Sequence, residues 1–103
     1  MEAGQSIVLL AIIVAGMLAF VAAAVDGGTI FAQRRQEQIA ADSAAMAAAL
    51  AAIEHTDYIT AARTKASLNG FTNNGTDPIV EVYRPPVDGE YAGDNAYVQV
   101  KIT

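Results

Sequence analysis

The chain has 103 residues, of which 53% are hydrophobic, a formal net charge of −5 and no cysteine. That length holds one domain at most. Six Lys and Arg against eleven Asp and Glu form no basic patch for nucleic acid, disulfides are excluded, and one His without Cys removes zinc-type clusters.

The apolar residues are unevenly placed. Residues 7–25 read IVLLAIIVAGMLAFVAAAV, nineteen positions without a charge. As a helix they span roughly 28 Å, close to the hydrocarbon thickness of a bilayer. Apolar side chains cover every face, the pattern of a membrane span or of a helix buried on all sides. A chain this short cannot cover such a run with its own core, so the segment needs lipid or other protein around it. A secretory signal peptide competes, with a small-residue cleavage site near Ala22–Ala24. Its apolar region is usually shorter and follows a basic stretch, whereas residues 1–6 hold neither Lys nor Arg.

Asp26, Gly27 and Gly28 follow the span. Each glycine weakens a helix by about 1 kcal/mol relative to alanine, so this point reads either as a helix end or as a hinge. Helical character resumes from Thr29 to about Leu68. Nine of the thirteen residues at 40–52 are alanine, while Ile39, Met46, Leu50 and Ile53 recur at spacings of 7, 4 and 3 on one face. Continued from the N-terminus, the helix would make a rod of roughly 100 Å, buried by lateral packing against other copies. Asn69 and Gly70 are a plausible stop. After a turn-rich stretch, residues 79–83 read as a strand ended by Pro85 and Pro86, and residues 97–102 alternate strictly, with Val98, Val100 and Ile102 on one face. An antiparallel pair is expected. A lone two-stranded hairpin is marginal in water, so it must lean on the helix or on a neighbouring subunit. The last strand could be completed in trans, or the chain could be the N-terminal piece of a longer protein.

No catalytic constellation can be placed: there is no phosphate-cradling glycine loop, no Ser-His-Asp arrangement and no working pair of carboxylates. Glu54, His55 and Asp57 point to different helical faces. Asp88, Glu90, Asp94 and Asn95 share a loop with Gly89 and Gly93, but the spacing is not that of an EF-hand, and an ordinary acidic loop is expected. Asn74, Gly75 and Thr76 form a glycosylation sequon that is expected to stay bare. Tyr83, Tyr91 and Tyr97 are expected to pack the head. No enzyme activity, cofactor, metal or small-molecule substrate is expected.

The assembly candidates lie along the helix. Glu2, the only charge before the span, could pair with a neighbour's terminal amine and set register. Ile7, Leu10, Ile13, Leu18 and Phe20 are large packing residues, and Gly16 would let helices approach closely. Asp26 could pair with Arg34 or Arg35 of a neighbour, although exposed pairs contribute little individually.

Three segments in order carry a resemblance: GQS at 4–6, AVDGG at 24–28 and RRQEQIAADSAAMAAAL at 34–50, with PPVDGEYAGDNAYVQVKI at 85–102 beyond them. Together they resemble the TadE/TadG-like proteins of the Flp (tight adherence) pilus system, which are similar in outline to type IV pilins. The resemblance implies insertion in the inner membrane, a head outside the cytoplasm and contact with pilus assembly machinery. The positive-inside rule applied to Arg34 and Arg35 gives the opposite orientation; a removed basic leader would reconcile the two. TadG-type proteins usually extend well past this length, with a large C-terminal region.

The expected fold is therefore α+β: a long helix over 1–68, with the apolar segment 7–25, a possible hinge 26–28 and an alanine-rich part 29–68, then a small antiparallel β-hairpin head over 69–103. The expected function is a structural subunit of an extracellular filament, held in the membrane before assembly, whose partners are copies of itself. The alternatives are a non-polymerising single-pass component of the assembly machine, and a soluble binding domain released from a signal peptide.

Overall fold

The computed structural model describes residues 2–103. The element order is α1 (Glu2–Ile53), α2 (Tyr58–Leu68), β1 (Val80–Tyr83) and β2 (Gln99–Ile102). The fold is α+β, with a long N-terminal helix and one two-stranded antiparallel sheet. The chain divides into two compact units, one ending at Arg34 and the other comprising Arg35–Thr103, and α1 contributes to both.

The first unit is helix alone. Helical structure runs through Asp26, Gly27 and Gly28 without a break. The hydroxyls of Ser6 and Thr29 donate to the carbonyls of Glu2 and Val25, four residues earlier, at 3.0 and 2.9 Å. Each polar side chain is thereby satisfied inside its own helix.

The second unit is a head built on alanine. Ala40, Ala44, Ala48 and Ala51 are the buried residues of α1, at spacings of 4, 4 and 3. α2 adds Ala62 and Ala66. Ala44, Ala48, Ala62 and Ala66 surround Val80 in one cluster, against which Tyr58, Phe71, Val82, Val98, Val100 and Ile102 pack. The alanines of both helices line this cluster, and α2 packs directly on β1. In the sheet Val80 faces Ile102 and Val82 faces Val100, while Glu81 faces Lys101 and Tyr83 faces Gln99. Directly opposed residues share a face, so the four aliphatic side chains form the inner surface. The pairing extends one residue beyond the strands, because Ile79 and Thr103 exchange both backbone hydrogen bonds at 2.7 and 3.0 Å.

One helix to about Leu68 is expected from the sequence; in the structure α1 ends at Ile53 and α2 begins at Tyr58. The reason is local. The Asp57 carboxylate accepts from the backbone N–H groups of Ile59 and Thr60 at 3.1 and 3.2 Å and from the Thr60 hydroxyl at 2.6 Å. This satisfies donors that a new helix start leaves unpaired. Just before it, His55 adopts φ +58°, the Thr56 N–H reaches back to the Ala51 carbonyl at 2.8 Å and the His55 N–H to the Ala52 carbonyl at 3.3 Å. That is the Schellman arrangement, with His in the left-handed position where glycine is usual. α2 ends the same way, with Gly70 at φ +94° and the Phe71 N–H on the Ala66 carbonyl at 2.9 Å. The expected stop at Asn69 and Gly70 is therefore where the helix ends.

Two outcomes follow from this packing and capping. Ala48→Leu forces extra methylenes into a filled site and should destabilise the head by about 1–3 kcal/mol; Met46→Ala, on an exposed position, should stay within about 0.5 kcal/mol. Urea unfolding of the detergent-solubilised chain measures both. Hydrogen bonding from the Thr60 side chain, then from its backbone, holds the Asp57 carboxyl below its ordinary value. A depressed folded pKa stabilises the head above the unfolded value of about 3.9 and loses that contribution as pH falls through the folded value. The Tm gap between the native chain and Asp57→Asn, which cannot titrate, should therefore shift against the native chain below about pH 4; a pH-independent gap refutes the assignment.

Candidate functional site

The surface that calls for a partner begins in the first unit. An 18-residue window of α1 has a mean hydropathy of 2.9 and none of it is buried. Ile7, Leu10, Ile13, Leu18 and Phe20 are all exposed, from 48% for Ile13 to 81% for Phe20. Val8, Leu9, Ile12, Val14, Met17 and Val21 are also uncovered, so the apolar surface runs round the whole helix. A Cβ added at Gly16, Gly27 or Gly28 would meet nothing within 4 Å. No contact inside the chain requires these positions to be small.

The charges flanking this surface stand apart from one another. Glu2 lies in the first turn of α1, where a carboxylate complements the helix dipole. Asp26 and Arg34 are eight residues apart, about 12 Å of helical rise, too far for a contact along one helix. Among the described residues the ion pair found is Lys101 with Asp88, in the head.

In the second unit α1 presents two opposite faces. The alanine stripe faces the head, whereas Ile39, Met46, Leu50 and Ile53 are 51%, 76%, 57% and 75% exposed. At about 100° per residue the two sets are centred roughly 145° apart. The large residues form the one face that spacing marks, and their placement leaves that face uncovered by the head. The alanine stripe at 40, 44, 48 and 51 has the same helical period but is not distinguished by spacing alone. An alanine-rich stretch makes every face look alike until the partner surface is known.

Most of the remaining polar candidates have structural duties. Asp57 caps α2 and His55 turns the chain. In the 84–98 loop, Asp88 is taken by Lys101, whose amine is consequently held above its ordinary pKa, and the Asp94 carboxylate accepts from the Ala96 N–H at 2.9 Å. The Arg84 guanidinium donates to the Asn95 carbonyl at 2.9 Å and lies over the Tyr58 ring. The Val87 N–H donates to the Gln99 side chain at 3.0 Å, tying the loop back onto β2. Tyr91 and Tyr97 stack with ring centroids 3.9 Å apart, and Lys101 lies over Tyr83. In the sequon, the Asn74 amide accepts from the Thr76 and Asp77 N–H groups and donates to the Asp77 carbonyl at 2.7 Å, closing a tight turn. Among the described residues no three His, Asp or Glu converge on a common point.

Residues 4–52 match the family Tad, described as Putative Flp pilus-assembly TadE/G-like. No curated protein and no solved structure gives a significant match to the chain. The match begins at the GQS motif, takes in the whole apolar segment and AVDGG, and ends beside Ile53, where α1 stops. Over residues 4–52, just under half of its length, this chain is therefore similar to the TadE/G-like Flp pilus-assembly family.

Proposed function

We propose that this protein is a structural subunit that polymerises into an extracellular, pilus-like filament through its apolar helix, after storage in the cytoplasmic membrane of a prokaryotic cell. One observation carries the reading. Beyond the span, and past Arg34, Arg35 and Glu37, α1 continues with a second uncovered apolar stripe at Ile39, Met46, Leu50 and Ile53. A membrane anchor needs only residues 7–25 to cross the bilayer. It gives no reason for large aliphatic side chains farther along the same helix, opposite the face that binds the head. Neighbouring copies give that reason, since a contiguous exposed apolar patch marks an interaction site.

The mechanism is an exchange of surroundings. In the membrane, lipid covers residues 7–25; in the filament, helices of other copies cover both that segment and the second stripe. The first transfer replaces lipid contacts by packing, which small residues such as Gly16 and Ala15 favour by allowing close approach. The second removes apolar surface from water at roughly 25 cal/mol per Å². Gly27 and Gly28, where an added Cβ would meet nothing within 4 Å, supply the point where the helix can bend during extraction.

Mechanical shearing of cells followed by electron microscopy and mass spectrometry tests this. Fibres should be released that contain the intact apolar helix, and they should survive high salt but loosen in detergent. Met46→Glu and Leu50→Glu should abolish fibres while the protein still accumulates in the membrane. If the native protein stays wholly in the membrane fraction after shearing, the chain is a non-polymerising component of the assembly machine.

A further inference from the structure

The head carries an open groove of about 290 Å³ between α1 and the loop that joins the strands. One wall is Ala41, Asp42 and Ala45; the other includes Glu90, Tyr91 and Tyr97. The alanines leave the space empty, and the stacked tyrosines stand as an aromatic wall, with Tyr91 and Tyr97 47% and 42% exposed. Of the nearby carboxylates, Asp88 is neutralised by Lys101. Asp42 accepts only a neutral amide, from Gln38 at 2.7 Å, and Glu90 has no ion-pair partner among the described residues. The groove thus offers two uncompensated negative charges beside an aromatic face. That combination recognises a guanidinium, through charge-assisted hydrogen bonds and stacking.

The chain itself holds the matching group. Its other arginines are engaged: Arg63 donates to the Val80 carbonyl at 3.5 Å, and Arg84 to the Asn95 carbonyl. Arg34 and Arg35 are exposed and make no ion pair among the described residues. Arg35 precedes Asp42 by seven residues on α1, about 10 Å of rise, and makes no ion pair with it. We propose that this groove is a socket for Arg34 and Arg35 of a second copy; the assignment rests on the self-assembly reading above. Plug and socket are different patches of one surface, so the contact is heterologous. Every copy presents both, and repetition of such a contact propagates into an open helical filament instead of closing as a dimer.

The absence of native cysteine makes the test direct. Full-length Arg35→Cys and Glu90→Cys chains, which keep Arg34 as the plug and Asp42 as the socket carboxylate and carry tags of different size, are co-expressed and the cells are oxidised with a copper reagent. A disulfide-linked heterodimer in excess over the statistical mixture is expected, and the double variant should give a ladder of multimers. Adding Asp42→Lys to the Glu90→Cys chain should remove the heterodimer. Ile13→Cys chains provide the separate readout of apolar-helix packing. Dimers through Ile13→Cys without the heterodimer overturn the socket and leave self-assembly standing. Absence of both overturns self-assembly and the socket together.

Discussion

The head depends on burial of the alanine stripe of α1. Ala44 and Ala48 of α1 share one buried cluster with Ala62 and Ala66 of α2 and Val80, and Val82, Val100 and Ile102 of the sheet pack against it. A two-stranded sheet has little stability alone, and a helix of 11 residues is marginal in water. Each becomes stable by sharing one contact surface whose side chains are as small as side chains with a Cβ can be. The caps at Asp57 and Gly70 and the long return loop then fix how the elements enter and leave that contact.

The same constraint explains what stays uncovered. A head assembled on alanines needs only one stripe of α1, and that stripe holds none of the large residues of the helix. Ile39, Met46, Leu50 and Ile53 are therefore left to the opposite face. In the first unit there is no head at all, and nineteen apolar residues stand exposed on every side. Many polar groups are satisfied internally, with hydroxyls on their own helix, carboxylates in caps and turns, and Lys101 on Asp88. Its largest unmet requirement is cover for apolar surface, in keeping with the similarity of residues 4–52 to a pilus-assembly family.

Much of this was legible from residue order alone. The apolar segment, the antiparallel pair with Val98, Val100 and Ile102 on one face, the stop at Gly70 and the family resemblance all follow from patterns that report on neighbours a few positions away. The break between α1 and α2 was also written locally, in Thr56, Asp57 and Thr60, but alanine-rich flanks with strong helix propensity obscured it. One polar cap outweighs propensity there because it satisfies several helix-end donors at once.

What the sequence determined by itself is the demand: an uncharged helix of bilayer length, a second stripe of large residues on a helical period, and a short alternating strand that needs a support. Hydrophobic periodicity is a property of residue spacing, so no coordinates are required to read it. Only the tertiary structure decided which face of the alanine-rich helix meets the head, because alanine at nearly every position makes all faces equally permissive. It also decided that the 84–98 loop returns to α1, enclosing a groove between Asp42 and Glu90, residues 48 positions apart in the chain. Such a juxtaposition depends on long-range packing, on which local spacing carries no information.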